Sequence, residues 1–100
     1  MTKRLDNKIA FVTGGGSGIG AAIAERMAEE GAVVVVCGRR EGPLKDVVES
    51  IRNNGGKADY RVADVSDEAG FVEAIDSVAR EHGRLDIMVN NAVNFTWGSL

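Results

Sequence analysis

Residues 11–31, FVTGGGSGIGAAIAERMAEEG, pass from an apolar run through a cluster of glycines into a helix-forming pattern. A strand ending near Thr13 and a helix starting near Gly18 leave a turn in which missing Cβ atoms have three uses. The backbone can bend sharply, approach a pyrophosphate closely, and bring the helix against the sheet. The first N–H groups of the helix and the positive end of its dipole, about half a unit charge, then face any anion laid across the turn. Ser17 adds a hydroxyl donor. A glycine-rich turn alone is a weak signal. Here strand, glycines, helix and second strand fall in the order that a dinucleotide fingerprint requires.

Working outward, the rest of the chain repeats this alternation. KIAFVT (8–13) and AVVVVC (32–37) are short β-branched runs, as expected of parallel strands buried on both faces. ADYRVA (58–63) and LDIMVN (85–90) are weaker versions. Between them, Ile19, Ile23 and Met27, then Leu44, Val47, Val48 and Ile51, then Phe71, Ile75, Val78 and Ala79 recur at three- or four-residue spacing. Each set predicts one apolar stripe on a helix. Gly31 closes the first, Pro43 suits the first turn of the second, Ser66, Asp67 and Glu68 open the third, and His82-Gly83 ends it. The order β-α-β-α-β-α-β with right-handed crossovers predicts an α/β, Rossmann-like doubly wound parallel sheet with strand order 3-2-1-4, in one dinucleotide-binding domain over residues 1–100.

Composition agrees with one globular unit: 100 residues, 44% apolar and 27% charged. A net charge of -3 and a pI near 5.1 provide no attraction for nucleic acid or an anionic membrane. The lone Cys37 excludes an internal disulfide and suits a reducing compartment, and the start MTKRLDNK-IAFV is too short in its apolar part for a signal peptide or membrane span. Cytoplasmic localisation is expected. His82 stands alone, and no cluster of metal-ligand spacing is present. Paired carboxylates such as Glu29-Glu30 and Asp67-Glu68 fall on predicted helix surfaces.

The next determinant falls at the end of the second strand, about 20 residues beyond the glycines, where a carboxylate would hold the ribose hydroxyls of NAD. The chain has CGRRE (37–41) there. Gly38 offers no carboxylate, while Arg39 and Arg40 offer forks that match a 2′-phosphate. NADP(H) is therefore expected over NAD(H), with idle solvated arginines as the competing reading.

TGGGSGIG (13–20) resembles the Thr-Gly-x-x-x-Gly-x-Gly motif of the short-chain dehydrogenase/reductase family, and ADVSD (63–67) and NNA (90–92) match it in the same order. The resemblance spans about Leu5 to Ala92. It implies that Gly14, Gly16, Gly18 and Gly20 cradle the pyrophosphate together with Ser17, and that Ile19 lies against the nicotinamide half. It further implies that Asp64 accepts from the adenine amino group and Val65 packs on the ring; capping of the third helix by Asp64 and Ser66 competes with that role. Asn90 would brace the strands near the glycine turn, and Asn91 and Ala92 would line the cofactor ribose by backbone contacts. Val93 departs from the usual glycine, and its branched Cβ makes a positive φ costly.

The family transfers hydride between nicotinamide and an alcohol or carbonyl carbon, with a serine and a Tyr-x-x-x-Lys helix as catalytic groups. Those groups are absent from these 100 residues: the only tyrosine, Tyr60, is followed four positions on by Asp64 and is expected to pack within a strand. Phe95 and Trp97 suit a substrate-loop wall. The chain is thus identified as the N-terminal, cofactor-binding part of such an enzyme, with no catalytic residue of its own. The alternative is a non-catalytic dinucleotide-binding or partner-interaction module. The last strand would be an apolar edge, and only one helix would cover the second face, so self-association is expected.

Overall fold

Ile9–Thr13 form the central strand β1, buried at all five positions, and the rest of the fold is laid around it. The structure, a computed structural model, describes residues 4–14, 16 and 18–91. The elements that follow are α1 (Gly18–Glu29), β2 (Val33–Gly38), α2 (Glu41–Asn53), β3 (Lys57–Val62), α3 (Glu68–His82) and β4 (Ile87–Val89). All strand pairs are parallel, in the order β3-β2-β1-β4. Phe11 lies opposite Val35 and Met88, and Thr13 opposite Cys37. The expected α/β, Rossmann-like arrangement is observed.

Each sheet face has its own core. Alternate side chains of β1 and β2, Ala10, Val12, Val34 and Val36, pack with Ala24, Ala28, Leu44, Val47, Val48 and Ile51 of α1 and α2. The opposite set, Ile9, Phe11, Val35 and Cys37, packs with Ala74 and Val78 of α3. The rings of Phe11 and Phe71 lie 6.2 Å apart at 56°, a tilted aromatic pair. Right-handed crossovers place two helices on one face and one on the other, as the chain order requires.

The helix ends follow local chemistry. Asp67 caps α3 by accepting from the Gly70 amide, and Gly83 stops it in the left-handed region at φ 80°. Of the expected starters, Asp67 is therefore the cap, not Asp64 or Ser66. The apolar stripe expected of α1 is also corrected. Its buried row is Gly20, Ala24 and Ala28; Ile23 and Met27 are half-buried, and Ile19 is 70% exposed. Small residues sit innermost because the helix lies close on the sheet, which leaves the larger side chains to its flanks. In α2 the expected row of Leu44, Val47, Val48 and Ile51 is buried as read.

Both sheet edges are solvent-facing among the described residues, and they differ in chemistry. On β3 the Arg61 guanidinium bonds Asp59 at 2.9 Å, pairs with Glu81, and donates through Nε to Ser77 at 2.9 Å. These bonds tie the edge strand to α3 and place charge along it, which discourages pairing with another strand. On β4, Met88 is 45% exposed.

Candidate functional site

The segments that follow the four strands gather at the carboxyl end of the sheet. Gly14 leaves β1 with φ 64° in the left-handed region that favours glycine. A Cβ on Gly20 would stand 2.0 Å from the Gly14 carbonyl oxygen and 2.9 Å from Asn91 Nδ2, so the first turn of α1 packs directly on the glycine turn and on the end of β4. On Gly18 the same atom would meet nothing within 4 Å. The two glycines therefore differ: Gly20 permits internal packing, whereas Gly18 opens outward. The first turn of α1 carries no acidic side chain, so its positive end is uncompensated by a local carboxylate. A helix start of this kind favours negative charge in front of it.

Thr13 joins the turn to β4. Its buried hydroxyl lies 3.2 Å from the Val89 carbonyl oxygen and from Asn90 Oδ1, and it accepts the Asn91 amide at 2.8 Å. Asn90 and Asn91 are thus both fixed against β1. Residue types alone give Thr13 no role, although a hydroxyl closing an otherwise apolar buried strand is the signal that marks it. Pro43 and Leu44 were also missed as neighbours of the turn. A Cβ on Gly16 would fall 2.9 Å from Pro43 Cβ, and one on Gly38 3.3 Å from Leu44 Cδ2.

Arg39 and Arg40 follow β2 and are exposed. Arg40 is the extended N-cap residue of α2, with no side-chain cap bond. Neither guanidinium has a hydrogen-bond or ion-pair partner among the described residues. Beyond β3, Asp64 Oδ1 accepts from the Ser66 hydroxyl at 2.7 Å and the Ser66 amide at 2.9 Å. These bonds hold the Asp64 carboxyl below its ordinary range, and the nearby Arg39 charge adds to the effect. Val65 is half-buried beside it. Tyr60, placed in β3 as expected, packs on the first core and donates its hydroxyl to Glu41 Oε2 at 2.8 Å. Ser17, Ala92, Val93, Phe95 and Trp97 lie outside the described residues. No helix among the described residues is long and apolar enough to cross a membrane, and they include no group of three or more potential metal ligands.

Parallel strands, flanking helices and a glycine cradle at the carboxyl ends define a nucleotide-binding α/β layer. The chain belongs to the short-chain dehydrogenase family, whose model matches residues 8–97. It is 44% identical over 100 residues to elsinochrome reductase 1 of Elsinoe fawcettii, a match covering 99% of this chain and 38% of that protein. It is also 44% identical to the short-chain dehydrogenase/reductase homolog YusS of Bacillus subtilis, covering 86% of this chain and 80% of that one. A metagenomic short-chain oxidoreductase solved in complex with NADP superposes with a TM-score of 0.85 at 39% identity, over 88% of this chain and 40% of that one. The chain spans 32–38% of the length of the first three curated relatives that it matches. A nicotinamide dinucleotide is the ligand class that the family and the NADP-bound neighbour support.

Proposed function

We propose that this chain is the cofactor-binding part of an NADP(H)-dependent short-chain oxidoreductase acting on a small alcohol or carbonyl compound. The observation that carries the reading is the pair of unpartnered guanidinium groups, Arg39 and Arg40, standing where an NAD-binding chain presents a carboxylate. Arginine forks match a 2′-phosphate, and a phosphate contact of this kind contributes about 1.5–3 kcal/mol. The NADP complex of the metagenomic relative is consistent with that choice.

The bound nicotinamide would supply the hydride chemistry. The residues of this chain bind and orient. Gly14, Gly16, Gly18 and Gly20 shape the pyrophosphate cradle, with Ser17 as a further donor. Exposed Ile19 offers an apolar side chain beside the nicotinamide half. Asp64 has both its Ser66 bonds on Oδ1, which leaves Oδ2 to accept from the adenine amino group while Val65 packs on the ring. Asn91 and Ala92 line the ribose. Tyr60 has no lysine four residues on and its hydroxyl serves Glu41, so it is no acid/base group. Buried Cys37 is in keeping with a reducing cytoplasm.

The test is calorimetric titration of the chain with NADPH and NADH. Arg39→Ala is expected to weaken NADPH binding by about 10- to 100-fold, the loss of one charge-assisted contact, while NADH binding changes by less than about two-fold. Equal losses for both would overturn the reading.

A further inference from the structure

Glu41 is the carboxylate nearest in sequence to the arginine pair, directly after Arg40 and at the first position of α2. Among the described residues no ion pair joins it to either guanidinium. Its Oε2 instead accepts the Tyr60 hydroxyl at 2.8 Å, a bond that reaches across to β3. Tyr60 is itself held by packing on the core formed with Leu44 and Val48. The other acid close to this corner, Asp64, is bonded to Ser66.

We propose that Tyr60 is a positioning residue for cofactor selectivity: by holding Glu41 toward β3 it keeps Arg39 and Arg40 out of an ion pair with that carboxylate and open to a 2′-phosphate. The inference rests on the arginine reading above and adds to it a residue that never touches the phosphate. Two physical effects act together. A freed Glu41 would pair with the neighbouring guanidinium groups and compete with the ligand. It would also bring like charge toward the dianionic phosphate. The Tyr60–Glu41 bond removes both by directing the carboxylate to a neutral donor, and the positive end of α2 further favours the acid at this first-turn position.

The experiment measures binding of adenosine 2′,5′-bisphosphate and of 5′-AMP to the chain by calorimetry. These probes engage the adenine half of the site and differ only in the 2′-phosphate. Tyr60→Phe is expected to lower the preference for the bisphosphate about three- to five-fold, the scale of one exposed charge pair, with 5′-AMP binding unchanged. Tyr60→Phe combined with Glu41→Gln is expected to restore the preference, because the neutral amide forms no ion pair with arginine and carries no charge to repel phosphate. A merely structural role for Tyr60 would weaken both probes and would not be rescued. An unchanged preference in Tyr60→Phe, or a loss that Glu41→Gln leaves in place, overturns the inference. Should Arg39→Ala abolish the preference while Tyr60→Phe retains it, the arginine reading stands and only this inference fails. Should the wild-type chain show no preference and Arg39→Ala change nothing, both fall.

Discussion

At the scale of single residues, glycines with the same motif role have separable physical reasons. Gly20 is required by packing: a methyl group there would overlap the Gly14 carbonyl oxygen, a backbone atom that cannot turn aside. Gly20→Ala is expected to destabilise the chain by about 3 kcal/mol, the upper range for overpacking, seen as a lower midpoint in urea unfolding. Gly18 faces open space. Gly18→Ala should leave stability within about 1 kcal/mol of the parent, since a Cβ there meets nothing within 4 Å, while weakening dinucleotide binding if the proposed cradle is the binding site. If both variants lost stability equally, this division of roles would be wrong. Thr13 shows why motif spacing alone is incomplete. Its hydroxyl organises Val89, Asn90 and Asn91, residues 76 to 78 positions away, and nothing local to Thr13 announces those partners.

Between elements, the central strand is pinned to β4 at both ends. Thr13 does so at the carboxyl end. At the other, Asp86 Oδ2 accepts the Ile9 amide at 2.8 Å and the Asp86 amide donates to the Ile9 carbonyl at 2.9 Å. Hydrogen bonding from Arg84, followed by the Ile9 amide, holds the Asp86 carboxyl below its ordinary value of 3.8. A carboxyl depressed in the folded state adds stability that is complete above the unfolded value and is lost as pH falls through the folded one. Wild type should therefore exceed Asp86→Asn in urea stability near neutral pH, with the gap closing only below pH 3.8. The asparagine keeps an acceptor for Ile9, so the comparison isolates charge; a gap independent of pH would refute the assignment. The buried stripe of α1 departs from its apolar pattern for a related reason. Ile19, Ile23 and Met27 have helical spacing, but α1 lies so near the sheet that Gly20, Ala24 and Ala28 occupy the contact line. A hydrophobicity pattern weights large side chains and passes over the small ones that permit close approach.

For the whole molecule, the two faces of the sheet are unequally covered. Among the described residues two helices close one face and α3 alone lies on the other, where Met88 of β4 is paired opposite Phe11 yet 45% exposed. The charged β3 edge carries Lys57, Asp59 and Arg61, whereas β4 is Ile87-Met88-Val89. An apolar strand edge is a template for association. The 100-residue chain is expected to scatter light above monomer mass, and Met88→Lys to shift it toward monomer by placing charge on that edge. A wild-type chain that stays monomeric with a cooperative melt would contradict this.

Chain order, apolar periodicity and the glycine turn were enough to determine the parallel sheet, its strand order and the separation of the helices onto two faces, because each is governed by local pattern and crossover handedness; the family was legible only through the resemblance of TGGGSGIG, ADVSD and NNA, taken together, to its motifs. The segments after the strands were likewise legible as the place where a site would form. Tertiary structure alone decided which face of α1 is buried, that Asp67 rather than Asp64 caps α3, that Thr13 latches β4, and that Glu41 turns to Tyr60 instead of to the arginines. Each of these is settled by competition among partners far apart in the chain and close in space. Spacing along a sequence carries no record of such competition.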